Sequence, residues 1–143
     1  MSVKKPICRN AAVVGLIIGL AVAGCGKATR SPIVEVTGTI QFEDGSKLPE
    51  GTMIVLSPVL GGAGTAVAES DADGQFVLQH ASGKPGAEVG SYLVELRSPT
   101  GMEQEFYSTI PSEYTDGSSL STTIPDDGGT IELILKKGKR RRS

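Results

Sequence analysis

Cys25 closes the stretch "LAVAGCGK" (residues 20–27), where an apolar run gives way to polar residues. The chain's other cysteine, Cys8, precedes that run. A thiol on an exported arm is either an oxidation liability or an attachment point, since its thiolate is a nucleophile. The remaining groups able to do chemistry are few. His80 is the only histidine, so a Ser-His-Asp relay or a two-imidazole metal site lacks parts or leans on one residue. Asp71-Ala72-Asp73-Gly74 has a faint look of a calcium loop, but calcium takes six to eight oxygens and an EF-hand loop spaces its acids as D-x-[DN]-x-[DN]-G with a later glutamate. Here two acids precede an early glycine, and no glutamate occurs in the next eight residues. The expectation is a turn, with Asp71 capping its own backbone and Gly74 at positive φ. Asp126-Asp127 stands beside Gly128-Gly129, where solvated turn carboxylates are expected. No catalytic residue, metal ligand or cofactor is expected, and the chain reads as a non-enzyme.

Lys4, Lys5 and Arg9 make a positive start, followed by thirteen uncharged residues, Ala11 to Ala23. A bilayer-spanning helix needs roughly 20 apolar residues, so this run reads as the core of a signal peptide. Two export routes compete. "AVA" (residues 21–23) fits the small-x-small pattern of ordinary cleavage, which releases a soluble protein with a free thiol. "VAGC" (Val22 to Cys25) resembles the lipobox of bacterial lipoproteins. That resemblance implies a signal peptide over 1–24, removed before Cys25, and acyl chains joined to the cysteine sulfur through a thioether-linked diacylglyceryl group. One chain anchors marginally at about 0.8 kcal/mol per buried methylene, whereas two or more hold stably. Cys8 leaves with the signal, so no internal disulfide is possible.

The lipidated tether is residues 25–32; "GKATRSP" spans at most about 25 Å at ~3.5 Å per residue. A membrane lipid is therefore the expected partner through acylated Cys25, with the folded part close to the surface on the periplasmic or outer face of the envelope. Gly26, rather than Asp, follows the cysteine, which leans toward the outer membrane by the sorting preference of some lipoproteins.

Charge is segregated. Residues 26–135 carry five basic residues against all sixteen acids, a net of −11, whereas residues 136–143, "KKGKRRRS", carry six of the fourteen basic residues. A nucleic-acid domain would stripe its basic residues over a folded face, so nucleic acid is not an expected partner. The basic stretch reads as a disordered tail balancing an acidic body. Its alternative role is contact with anionic lipid or an acidic envelope polymer, at ~1 kcal/mol per residue near a charged surface.

From residue 33 the hydrophobic period is two. Val36, Gly38, Ile40 and Phe42 share a face in "IVEVTGTIQF", with Glu35, Thr37, Thr39 and Gln41 opposite; that is a half-buried strand. "TMIVLSP" is apolar on both faces, as a central strand is. "TAVAES" and "QFVLQH" flank the Asp71–Gly74 turn as a hairpin, with Phe76 and Leu78 inward. "GSYLVELRSP" places Tyr92, Val94 and Leu96 inward, and "SSLSTTIP" and "TIELIL" complete seven candidate strands. No stretch after Cys25 carries a convincing 3.6-residue period. The expected fold is all-β: a two-sheet antiparallel sandwich over residues 33–135. If its strands alternate strictly, an odd count leaves the basic tail at the end opposite the tether, and an even count turns it back.

"VTGTIQFEDGSKLPEGTMIVLSP", "ESDADGQFVL" and "GAEVGSYLVEL" together resemble the carboxypeptidase regulatory-like domains, which are transthyretin-like sandwiches. The matching positions are Val36, Gly38, Ile40, Gly45, Leu48, Pro49, Gly51, Asp71, Asp73, Gly74, Phe76, Gly90, Tyr92 and Val94. "IPSEYTD" (residues 110–116) with "LSTTI" further resembles small bacterial lipoproteins carrying one such domain. Glu88-Val89 departs from the usual proline before Gly90. These are turn and core positions, so the resemblance bears on fold more than on activity. The hydroxyisourate hydrolases of transthyretin-like fold use several histidines, and this chain has one. The resemblance implies a non-catalytic, lipid-anchored envelope protein that binds, adheres or supports. Two alternatives stand beside it: an accessory subunit of an envelope enzyme or transport complex, with His80 or the "IPSEY" loop as its site, and an interaction module working through the basic tail.

Overall fold

The computed structural model describes residues 30–61 and 63–138. The expected signal peptide (1–24), Cys25, most of the expected tether (25–32) and residues 139–143 lie outside the described residues. The chain folds as an all-β sandwich of a three-stranded and a five-stranded sheet, with a small two-stranded ribbon at one end. The elements in chain order are β1 (Ile33–Val34), β2 (Val36–Phe42), β3 (Met53–Pro58), β4 (Ala66–Glu69), β5 (Gln75–Val77), β6 (Gln79–His80), β7 (Ala87–Glu88), β8 (Gly90–Arg97), helix α1 (Glu103–Thr109), β9 (Leu120–Ile124) and β10 (Gly129–Leu135).

The period-two faces point where the sequence sends them. Val36, Ile40 and Phe42 on β2, Tyr92, Val94 and Leu96 on β8, and Ile131, Leu133 and Leu135 on β10 are all buried between the sheets. Ile54 and Leu56 on β3 join them, while Val55 on the opposite face of that central strand is also covered, at 8% exposure. Continuous apolarity on β3 thus follows from neighbours on both edges, β4 and β8.

Two expected strands split. β1 leaves the line of β2 at Glu35 and pairs with β7, joining Ile33 to Glu88 and Val34 to Ala87. The "QFVLQH" stretch divides at Leu78: β5 pairs with β2 in the smaller sheet, and β6 pairs with β4 in the larger. The Asp71–Gly74 turn therefore hands the chain from one sheet to the other rather than closing a simple hairpin. Phe76 and Leu78 are buried as expected. Gly74 takes φ 77°, and a methyl there would strike the carbonyl oxygen of Ile40, so only glycine fits this crossing.

A helix is present where no helical period was expected. α1 is two turns long, and only Phe106 within it is buried. Met102, Phe106 and Ile110 lie four residues apart along one face, and Phe106 and Ile110 enter the core. Three apolar residues over two turns make a period too short to stand out from the sequence.

All strand pairs are antiparallel except one: β10 runs parallel to β2, from Gly129 opposite Val36 to Leu135 opposite Phe42. Strands alternate in direction along the chain, with β5–β6 counting as one passage, so the seventh passage runs the same way as the first. Because β10 docks directly on β2, the pair must be parallel.

Candidate functional site

The two ends of the sandwich differ in chemistry. At the end where the chain enters, the carbonyl of Pro32 accepts from the Val89 N–H at 3.2 Å. Beside it a cleft of about 390 Å³ opens between Arg30, Ser31, Pro58 at the end of β3 and Leu60 in the loop after it, with Glu88 and Tyr92 also lining it. A second cleft, about 560 Å³, shares Arg30, Ser31 and Glu88 and adds Lys84.

Glu88 and His80 lie beneath these clefts, 3% and 7% exposed. Glu88 Oε2 accepts from the Gly64 N–H at 3.0 Å. His80 Nδ1 accepts from the Ser82 N–H at 3.1 Å and faces the Ser82 hydroxyl at 2.8 Å. The proton of a neutral ring is therefore assigned to Nε2. That atom is buried without a hydrogen-bond partner, with Glu88 Oε1 3.6 Å away, beyond hydrogen-bond reach. Gly64 lies against the Nε2 side of the imidazole; a methyl there would sit 2.7 Å from Cε1 and nearer still to Nε2. The Tyr92 hydroxyl donates to the Glu88 carbonyl at 2.8 Å, and burial, then the Glu88 charge, push its pKa up.

A histidine acting as general base needs a nitrogen open to a substrate proton. Here Nδ1 is engaged by Ser82 and Nε2 points inward at Glu88. The arrangement is a clamp: it ties the loop before β4, the turn after β6, and β7 into one unit under the entry end of the sandwich.

At the opposite end the first residues of the basic stretch are held to the body. The Lys136 N–H donates to the Tyr114 hydroxyl at 3.0 Å, and Gly138 lies beside Pro111. The Lys137 ammonium pairs with Asp44 and sits 5.5 Å from the centre of the Phe42 ring. Asp44 also accepts from the Ser46 N–H at 3.0 Å and its hydroxyl at 2.6 Å. Lys137 first, and then Ser46, hold the Asp44 carboxyl well below the usual carboxylate range. Residues 136–138, the first of the basic stretch, thus contact the sandwich; residues 139–143 lie outside the described residues.

The other candidates are dispersed. Asp71 Oδ1 accepts from the N–H groups of Asp73 at 2.9 Å and Gln75 at 2.8 Å, which is the self-capped turn expected from the sequence. Asp126 and Asp127 are exposed in a turn closed by the Gly128 N–H on the Pro125 carbonyl at 3.0 Å. In the "IPSEY" segment, Ile110 and Tyr114 are buried, and burial pushes the Tyr114 hydroxyl pKa up. Among the described residues, no three His, Cys, Asp or Glu side chains are grouped to hold a metal ion, and no helix is long and apolar enough to cross a membrane.

Glu88 is the residue that sequence reasoning passed over, noted only for standing where a proline is usual. Its signal was weak: one acid at the start of an apolar strand, eight residues after the sole histidine. Compared with known proteins, the chain matches no family model, no curated protein and no solved structure.

Proposed function

We propose that this chain is a lipid-anchored envelope protein whose β-sandwich does no chemistry and serves as a binding or supporting module beside the membrane. The observation that carries the reading is "VAGC" at Cys25, following an uncharged run too short to span a bilayer and standing five residues before the first described residue, Arg30. The non-catalytic part is supported by how the candidate groups are engaged. His80 is buried in the clamp, Asp71 caps its own turn, and Tyr114 braces the backbone at Lys136. Intact-mass measurement of the membrane-extracted protein tests the anchor: the product should begin at Cys25 and carry the mass of a diacylglyceryl group. Cys25→Ser should release the protein from membranes. A thiol-bearing product, or a Cys25→Ser variant that stays membrane-bound, rejects it.

The parallel β2–β10 pair favours a second element, an interaction role for the basic stretch. Six residue steps separate Val36 from Phe42, about 20 Å at the strand rise, and Leu135 is opposite Phe42. The basic stretch consequently begins at the end of the sandwich remote from the tether, which suits an acidic polymer or envelope protein facing away from the anchoring lipid. Neutralising Lys139, Arg140, Arg141 and Arg142 to Gln leaves the Lys136 and Lys137 contacts intact. That variant should lose crosslinks to envelope partners while remaining anchored; an unchanged crosslinking pattern rejects this role.

A further inference from the structure

We infer that Val59 and Leu60 touch the same lipid surface that holds the acyl anchor, setting the orientation of the sandwich on it. This rests on the lipid-anchor reading above. Leu60 is 79% exposed and Val59 53%, and Leu60 is the most exposed large apolar side chain among the described residues. Other exposed apolar side chains, such as Val77 and Leu93, sit on strands β5 and β8, where single exposed hydrophobics are ordinary. Val59 and Leu60 are instead adjacent, at a loop tip directly after β3.

Their location identifies the partner. Leu60 and Arg30 line the same cleft, so the tip and the chain's entry point are neighbours. Five residue steps from Arg30 to Cys25 reach at most about 18 Å. An acylated Cys25 must lie at the lipid surface, so this end of the sandwich is held within that distance of it. The interfacial layers add roughly 5–8 Å beyond the hydrocarbon on each side, and a projecting apolar tip at this end enters them before the strand faces can.

The turn bearing Asp126 and Asp127 leads into β10 opposite Val36 and so shares this end. Its charge repels an anionic surface, whereas Arg30 beside Leu60 is attracted to one. The sandwich therefore tilts to put the Val59–Leu60 tip, rather than the acidic turn, against lipid. Two side chains alone do not anchor a protein; their effect is on orientation, with the acyl chains providing the hold.

The chain has no tryptophan, so a single introduced one reports its own surroundings. Leu60→Trp and, at the far end, Tyr107→Trp are compared in the full acylated protein. Tyr107 is 56% exposed and lines a surface with Lys137, so both sites tolerate the ring. The proteins are reconstituted in phosphatidylethanolamine–phosphatidylglycerol vesicles containing lipids brominated on the acyl chains. Expected is a blue-shifted emission at position 60 and quenching at least about twofold stronger than at 107, as for a side chain seated about 5–10 Å into the headgroup boundary. Equal quenching at both positions, with the acyl mass confirmed, overturns the loop contact and leaves the anchor standing. Absence of the acyl mass overturns the anchor and this contact together.

Discussion

Gly38→Ala tests whether the smaller sheet is held by one close approach. Gly38 is central in β2, opposite Phe76 of β5 on one side and Ile131 of β10 on the other. The Phe76 ring occupies the space a side chain at 38 would fill: a methyl would lie 2.7 Å from Cε2, closer still to Cζ, and 2.8 Å from the Ile131 carbonyl oxygen. The ring can move only out of a core in which it is 3% exposed, and the carbonyl only by loosening the β2–β10 ladder. Overpacking costs about 1–3 kcal/mol, and a displaced phenylalanine forfeits part of the roughly 1.5–3 kcal/mol its burial contributes. Against this, losing glycine's extra freedom in the unfolded chain returns about 0.5–1 kcal/mol.

The expected net, overpacking plus part of the Phe76 burial less the glycine term, is about 2 kcal/mol of destabilisation. For a domain near 100 residues that lowers Tm by about 8–16 °C. Urea unfolding followed by far-ultraviolet circular dichroism measures it. Phe76→Leu in the Gly38→Ala background should recover part of the loss. The double variant should fall short of the sum of the singles by at least about 0.5 kcal/mol, as contacting sites do. A Gly38→Ala protein as stable as the parent, or more so, refutes the close approach.

Asp44 links the basic stretch to acid stability. Its carboxyl pKa is lowered in the folded state from an ordinary value of 3.8, so its contribution is fully present above that value and is lost as pH falls below it. An NMR titration should show Asp44 titrating below its ordinary value, with Lys137→Gln moving it back up; an unmoved Asp44 would sink the pairing. Asp71→Ala strips the acceptor from two backbone N–H groups and should cost about 1–2 kcal/mol, while Asp71→Asn keeps an acceptor oxygen and should cost less. Millimolar calcium should leave the parent's Tm unchanged, and a rise would restore the calcium-loop reading. Tyr114→Phe removes the acceptor for the Lys136 N–H, and should cost about 1 kcal/mol and speed hydrogen exchange at that amide; unchanged exchange would mean the contact does not hold in solution.

Much of the fold was legible because strand patterning is local. Alternation along β2, β8 and β10 names the buried face from residue type alone, since successive side chains on a strand point to opposite sides. The turn at Asp71–Gly74 was legible for the same reason: an aspartate folding onto its own backbone needs no distant partner. Helix α1 was hidden by its shortness, and the Glu88–His80 clamp by its two members standing on separate short strands whose approach no periodicity marks. Neither residue type nor spacing tells that an acid on β7 and an imidazole on β6 are buried against Gly64.

By itself, then, the order of residues determined the all-β class, the inward faces, the self-capped turn and the chemical separation of Cys25 from the basic stretch. Those properties depend on covalent neighbours, transfer of apolar side chains from water and the reach of a few bonds. Tertiary structure alone decided that "QFVLQH" divides between two sheets, that β10 docks in parallel on β2, and that Lys136 and Lys137 leave from the end remote from Arg30. These outcomes turn on which strand edges meet, and strand pairing is set by hydrogen bonds between segments far apart in the chain, to which a local pattern is blind.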